Sequence, residues 1–107
     1  TDTDEWAVSN ALENVRLNDA AHLVDIFHGS IPESLPRKPG MICANLTLTD
    51  LKMLLGRFRE LLPGGGLLLV SGLLAEDEGP IGSALDGAGF RIDETVRENE
   101  WLAICAR

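Results

Sequence analysis

Asn45 is the residue whose type and position most favour chemistry in this sequence. It directly follows Met41–Ala44, a continuous apolar run typical of a buried parallel strand. Ligands of open α/β folds bind at the carboxyl ends of such strands, so Asn45 is a candidate binding or catalytic side chain. A turn-forming asparagine after a strand is the alternative. His22 and His28 lie six positions apart without the third partner that zinc requires, so no metal site is predicted.

Composition limits the partners that this chain can have. Its 107 residues carry 17 Asp and Glu against 9 Lys and Arg, a formal net charge of −8. This acidic excess argues against direct nucleic acid binding. The apolar stretch Leu61–Ala75 is interrupted by Pro63–Gly66 and is too short for a membrane span. No secretion signal opens the sequence and Cys43 and Cys105 lie in apolar segments, so we expect reduced core thiols and a cytoplasmic location.

The elements that must position Asn45 follow from the spacing of apolar residues. Repeats of three and four residues predict helices at Asp4–Asn18, Thr49–Leu62 and Asp77–Ala88. Short apolar runs predict strands at His22–Phe27, Met41–Ala44, Leu67–Val70 and, as a terminal hairpin, Phe90–Arg97 with Trp101–Arg107. Proline at three positions makes Ile31–Gly40 a loop. This order predicts an α/β fold whose sheet is mostly parallel, with an antiparallel C-terminal hairpin.

The predicted sheet lacks the opening part of a nucleotide-binding fold. Such folds begin with a strand and a glycine-rich turn, and neither G-x-G-x-x-G nor G-x-x-x-x-G-K occurs in this sequence. We therefore expect the first strand and the glycine loop to be missing. The unpaired sheet edge that results predicts that the chain self-associates.

Four sequence patterns follow one another along nearly the whole chain. They are D-T-D-E-W-A-V at 2–8 with N-V-R-L-N at 14–18, A-N-L at 44–46, L-P-G-G-G-L at 62–67 running into V-S-G-L-L at 70–74, and R-E-N-E-W at 97–101. The P-G-G turn and the acidic strand end are common to many folds, but A-N-L, V-S-G-L-L and E-x-E-W at this spacing are specific. Together the patterns resemble the ribosomal protein L11 methyltransferase family, a class I S-adenosylmethionine-dependent methyltransferase family. Residues 46–51 lack the proline that the family has in this loop.

The resemblance implies a fold, a cofactor and roles for two residues. The implied fold is a partial Rossmann-like class I methyltransferase sheet. Residues 1–107 would be the C-terminal portion of the catalytic domain. The cofactor is S-adenosyl-L-methionine, and the substrate is an amino group of ribosomal protein L11. Asp2 would bind the cofactor, because a carboxylate at a strand end can accept two hydrogen bonds from the ribose hydroxyls. Asn45 would lie near the methionine part of the cofactor and the target amine, with a binding and a catalytic role.

Other interpretations stay open at this point. Asp2 could be a frayed terminal residue. The acceptor of a class I methyltransferase could also be a small molecule or an RNA, since one fold hosts many functions. The chain could also be a non-catalytic α/β remnant or interaction module. For the 107 residues alone we expect little or no activity, because the glycine turn that approaches the cofactor is absent.

Overall fold

The computed structural model describes all 107 residues, Thr1–Arg107, which form two compact units. The first unit is Thr1–Pro36 and the second is Arg37–Arg107. All buried apolar side chains belong to the second unit, so that unit holds the hydrophobic core. No helix of the structure is long and apolar enough to cross a membrane.

Helix α1, Glu5–Leu17, confirms the helix predicted for the first unit. Asp4 is its N-cap, because the Asp4 side chain accepts a hydrogen bond of 2.9 Å from the backbone N–H of Ala7. Such a cap satisfies one of the N–H groups that the first helical turn leaves unpaired. Glu5 in the first turn and Arg16 in the last carry the charges that the helix dipole favours at each end.

The strand predicted at His22–Phe27 is wrong. The structure has only one isolated parallel bridge next to this segment, between Asp2 and His28. In it the N–H of Asp2 donates to the carbonyl of Phe27 at 3.2 Å, and the N–H of Gly29 donates to the carbonyl of Asp2 at 2.7 Å. The ladder ends there because the chain after Asp2 turns into α1. An apolar run becomes a strand only where a partner continues beside it.

The second unit is built on one four-stranded sheet. Its strands are β1 (Met41–Asn45), β2 (Leu67–Leu74), β3 (Ile92–Glu98) and β4 (Trp101–Ala106), in the spatial order β1-β2-β4-β3. The predicted β1, β2 and C-terminal hairpin are all present, and β2 runs four residues further than the predicted end at Val70. The α/β fold class is therefore confirmed.

Strands β1, β2 and β3 run in one direction and β4 runs against them, so the predicted mostly parallel sheet with an antiparallel C-terminal hairpin is confirmed. β1 and β2 are parallel, whereas β4 is antiparallel to both β2 and β3. The reason is the short connection at Asn99 and Glu100, which returns the chain so that β4 inserts between β2 and β3. Asn99 takes a positive φ of 54° in this turn, a conformation that asparagine adopts more readily than most residues.

Two helices cover one face of the sheet and form the core with it. Helix α2 is Leu48–Leu61, and a short 3₁₀ turn, Ala75–Asp77, leads into α3, Glu78–Gly87. Both helices were predicted within two residues of their bounds. Their inward residues recur at helical spacing and pack with alternate strand residues. The buried set includes Leu51, Leu55, Phe58, Ile81, Leu85, Leu68, Val70, Leu73, Leu102 and Ile104.

The opposite face of the sheet carries exposed apolar side chains. Met41, Leu69 and Trp101 alternate with the buried positions and are 51%, 37% and 53% exposed. Cys43 points to this face as well and is exposed, so the prediction that it is a core thiol is wrong. A continuous apolar run gave that prediction, and such a run does not reveal which of its residues a helix covers. Cys105 is half-buried, and both thiols are free.

The loop between β1 and α2 is fixed by a side-chain cap. The Thr47 hydroxyl donates a hydrogen bond of 2.7 Å to the Asp50 carboxylate, and its oxygen lies 3.3 Å from the Asp50 backbone N–H, from which it accepts. Thr47 is therefore the N-cap of α2, and Asp50 is the acidic residue of its first turn. This cap defines the loop in which the family pattern has a proline.

Replacing Thr47 by alanine is expected to lower the free energy of unfolding by about 1 kcal/mol, the usual effect of losing a threonine cap. Thr49→Ala is the matched control, because Thr49 is exposed, lies within the first turn and has no capping role. Urea unfolding of both variants measures the difference. Equal stability of the two variants would contradict the cap.

Candidate functional site

Asp2 presents its carboxylate beside the isolated bridge of the first unit. Its backbone is held on both sides, by Phe27 and by Gly29. Its Oδ1 accepts a hydrogen bond of 2.9 Å from the backbone N–H of Asp4. The residue is exposed, so the second oxygen, Oδ2, can accept hydrogen bonds from a ligand. Asp2 is thus tied into the turn that begins α1 and is not a frayed terminal residue.

Asn45 is the last residue of β1, as the sequence predicts. It lies opposite Ser71 in the parallel β1–β2 ladder, which extends one step beyond it because the N–H of Leu46 donates to the carbonyl of Ser71 at 3.1 Å. The backbone on both sides of Asn45 is therefore fixed, while the residue itself is exposed. A neutral amide that can both donate and accept hydrogen bonds stands at the carboxyl end of the parallel pair.

A β-bulge in β2 faces the Asn45 side chain. In the β2–β4 ladder Val70 is opposite Ile104 and Leu73 is opposite Leu102, so β2 holds one residue more than β4 over this interval. The extra residue falls at Ser71-Gly72, where Gly72 has a positive φ of 80°. The bulge re-aims the backbone of β2 next to the end of β1.

Gly72 leaves no room for a side chain on the side of Asn45. A Cβ atom on Gly72 would lie 2.3 Å from Oδ1 of Asn45 and 3.2 Å from the backbone N and O of Leu46. The first of these separations is far below van der Waals contact. The amide of Asn45 therefore occupies the space that any residue other than glycine would need.

Sequence reasoning did not assign a role to Gly72. The residue stands in the V-S-G-L-L pattern, and the predicted β2 ended before it at Val70. A glycine among strand residues is a signal for a bulge or for close approach of another group. That signal points to the bulge, but it does not say which group approaches.

An ion pair at the end of the hairpin lies away from Asn45. Arg107 donates from Nε to Oδ2 of Asp93 at 2.5 Å, and this hydrogen bond and the attraction between the charges raise the pKa of Arg107 above its ordinary value. Because Ala106 is opposite Leu68, Arg107 lies near the start of β2, whereas Asn45 lies beside its later part. The ion pair lies at the end of the hairpin and places no charge beside Asn45.

The two predicted site residues belong to different units. Asp2 lies in Thr1–Pro36 and Asn45 lies in Arg37–Arg107, and each has a defined backbone position within its own unit. The structure contains no group of three or more His, Cys, Asp or Glu side chains that could hold a metal ion. The cofactor and catalytic roles of Asp2 and Asn45 stay predictions.

Comparisons with known proteins agree on one family. The family model described as "Ribosomal protein L11 methyltransferase (PrmA)" matches residues 1–107. A ribosomal protein L11 methyltransferase of Bacillus cereus is 36% identical over 106 residues, which are 99% of this chain and 34% of that protein. One of Bacillus anthracis has the same identity and coverage. The chain thus spans about a third of the length of these relatives.

Solved structures share the fold. A ribosomal protein L11 methylase of Lactobacillus delbrueckii subsp. bulgaricus superposes with a TM-score of 0.85 at 24% identity, covering 98% of this chain and 54% of that one. The mitomycin 7-O-methyltransferase superposes with a TM-score of 0.76 at 14% identity, covering 99% of this chain and 40% of that one. Both are methyltransferase folds, which confirms the Rossmann-like interpretation. Because the family model matches residues 1–107 and curated relatives are 36% identical over 99% of the chain, this chain belongs to the ribosomal protein L11 methyltransferase (PrmA) family.

Proposed function

We propose that the full-length protein is an S-adenosylmethionine-dependent N-methyltransferase that modifies amino groups of ribosomal protein L11. The observation that carries the proposal is the Asn45 amide, held at the carboxyl end of the parallel β1–β2 pair in a chain of this family. The proposal concerns the full-length protein, because the 107 residues span 34% of the length of the relative in Bacillus cereus. We expect these residues alone to be inactive.

The Asp2 carboxylate fits the ribose of S-adenosyl-L-methionine. A ribose offers two neighbouring hydroxyl donors, and a carboxylate with an available oxygen can accept from both. Asp2 already uses Oδ1 for the Asp4 N–H and is exposed, so Oδ2 is available to a ligand. The fixed backbone on both sides of Asp2 lowers the conformational entropy lost when the ligand binds.

Asn45 is the residue that we propose to orient the methyl acceptor. When bound, S-adenosyl-L-methionine supplies an electrophilic methyl group on a sulfonium centre. The Oδ1 atom of Asn45 can accept a hydrogen bond from an N–H of a neutral amine and so direct the nitrogen lone pair. Orientation of this kind contributes to rate without a covalent intermediate. A lysine amine has an ordinary pKa of about 10.4, so it must lose its proton before its nitrogen can attack.

The charge of the chain is compatible with a ribosomal protein as the substrate. The chain carries a net charge of −8, and an acidic surface favours encounter with a basic protein. The same excess disfavours binding to RNA phosphates. We propose that the protein acts in the cytoplasm on L11 itself, with no direct contact to nucleic acid or membrane.

The direct test is methyl transfer from labelled S-adenosyl-L-methionine by the full-length protein, with purified L11, ribosomal RNA and a small amine as separate acceptors. We expect label on L11 alone, at amino groups located by mass spectrometry. Transfer only to RNA or to the small amine would replace L11 as the substrate. Absence of transfer to any acceptor, with no binding of the cofactor, would show a non-catalytic module.

Substitutions of the two site residues are expected to separate binding from turnover. Asn45→Ala should lower kcat by at least about 100-fold while cofactor affinity changes little, because a misplaced acceptor loses orientation. Asp2→Ala should weaken cofactor binding by about five- to 150-fold, the equivalent of about 1–3 kcal/mol for a lost hydrogen-bond partner. Calorimetric titration gives the affinities, and initial rates with L11 give kcat.

Asp2→Asn is the control for the turn that Asp2 supports. It keeps an oxygen that can accept from the Asp4 N–H but removes the charge and one of the two acceptors. We expect it to bind the cofactor more weakly than the unchanged protein. Full affinity in Asp2→Asn would mean that Asp2 acts only through the turn, and an unchanged kcat in Asn45→Ala would remove Asn45 from the mechanism.

A further inference from the structure

The amide of Asn45 lies directly beside Gly72, across the parallel β1–β2 pair. A Cβ atom on Gly72 would lie 2.3 Å from Asn45 Oδ1. Its distance to the N and O atoms of Leu46, the nearest backbone atoms, would be larger, 3.2 Å. The conflict is therefore chiefly with the end of one side chain. An asparagine side chain can rotate about its χ angles, whereas the backbone of β1 is held by the β2 ladder.

Because the side chain is the part that can move, a methyl group at position 72 would change where the Asn45 amide points more than it would change the fold. The residues on either side of Gly72 also prevent the backbone from moving away from Asn45. Ser71 fixes the Asn45 backbone through the ladder and Leu73 is fully buried, so the bulge cannot shift along β2 without exposing Leu73. Within the bulge, the missing side chain of Gly72 leaves space that the Asn45 amide occupies.

We propose that Gly72 is a positioning residue for Asn45: its lack of a side chain sets the direction in which the Asn45 amide faces the methyl acceptor. This proposal deepens the proposed function and rests on it for its effect on turnover. The positioning itself is a property of this chain and has a readout that does not depend on activity. Gly72 touches neither substrate nor cofactor in this proposal and acts only through Asn45.

Gly65→Ala is a matched control for Gly72→Ala. Gly65 has a positive φ of 82°, close to the 80° of Gly72, so alanine meets the same backbone strain at both positions. A Cβ atom on Gly65 meets no atom within 4 Å. Any difference between the two variants therefore reports the contact with Asn45 and its neighbour, not the left-handed backbone.

The first measurement is the side-chain amide resonance of Asn45 in ¹⁵N-labelled full-length protein, assigned by its loss in Asn45→Ala. We expect this resonance to shift in Gly72→Ala and to keep its position in Gly65→Ala. An unshifted resonance in Gly72→Ala would overturn the proposal. A shift in Gly72→Ala together with full turnover in Asn45→Ala would leave the positioning standing and remove the proposed function of Asn45.

The second measurement is kinetic. Gly72→Ala is expected to lose about 100-fold in kcat with cofactor affinity within about threefold, because a displaced orienting group costs rate before it costs binding. Gly65→Ala should keep the turnover of the unchanged protein. In an Asn45→Ala background, Gly72→Ala should cause no further loss of kcat, since the group it displaces is already gone. Independent, multiplying losses in the double variant would contradict a role through Asn45.

The double variant also covers the case in which Gly72→Ala does not fold. Removing the Asn45 amide leaves the new methyl group only the 3.2 Å contacts with Leu46, so Asn45→Ala/Gly72→Ala should fold and show cooperative thermal unfolding. Folding of the double variant but not of Gly72→Ala supports the collision with Asn45. Failure of both, with Gly65→Ala folded, would show that the backbone of Leu46 is the obstacle and would overturn the proposal.

Discussion

The position of β2 between two partners is the constraint on which this structure depends. β2 pairs in parallel with β1 on one side and antiparallel with β4 on the other, and its inward residues must meet the helices along its whole length. Val70 and Leu73 are both buried although they are three positions apart, whereas a regular strand buries every second residue. The extra residue at Ser71-Gly72 resolves this, because it moves Leu73 back to the buried face.

The same bulge connects the core with the candidate site. A strand that kept its regular pleat through position 72 would either turn Leu73 outward or lose the pairing of β4. With the bulge in place, Gly72 takes a left-handed conformation and its empty side faces Asn45. Packing of Leu73 and orientation of Asn45 are thus two consequences of one inserted residue. Burial supplies the stabilisation, and the exposed end of β1 is left available for chemistry.

Most elements of the fold were predictable because their signals are local. The three helices follow from the spacing of their apolar residues, and β1 follows from a short apolar run that ends at Asn45. The segment His22–Phe27 has the same local signal and is not a strand. The difference is the partner, since the chain beside it turns into α1 after Asp2. Pairing is a property of two segments, and one segment's composition cannot report it.

The parts of the candidate site that have a local signal in the sequence were also predictable. Asn45 could be selected because a polar residue after a strand is visible in the sequence, and Asp2 because it opens the first of the patterns that resemble the family. The need for glycine at position 72 depends on the register of β1 against β2 and on the bulge, and neither is local. The residues of Leu67–Val70 are apolar on both faces of the sheet. The shift that the bulge causes in the alternation of inward and outward residues therefore leaves no trace in hydropathy. Polar residues at the outward positions 67 and 69 would have revealed it, because Leu73 would then have broken an alternating pattern. The uniform apolar character of β2 therefore conceals the feature that links its core to Asn45.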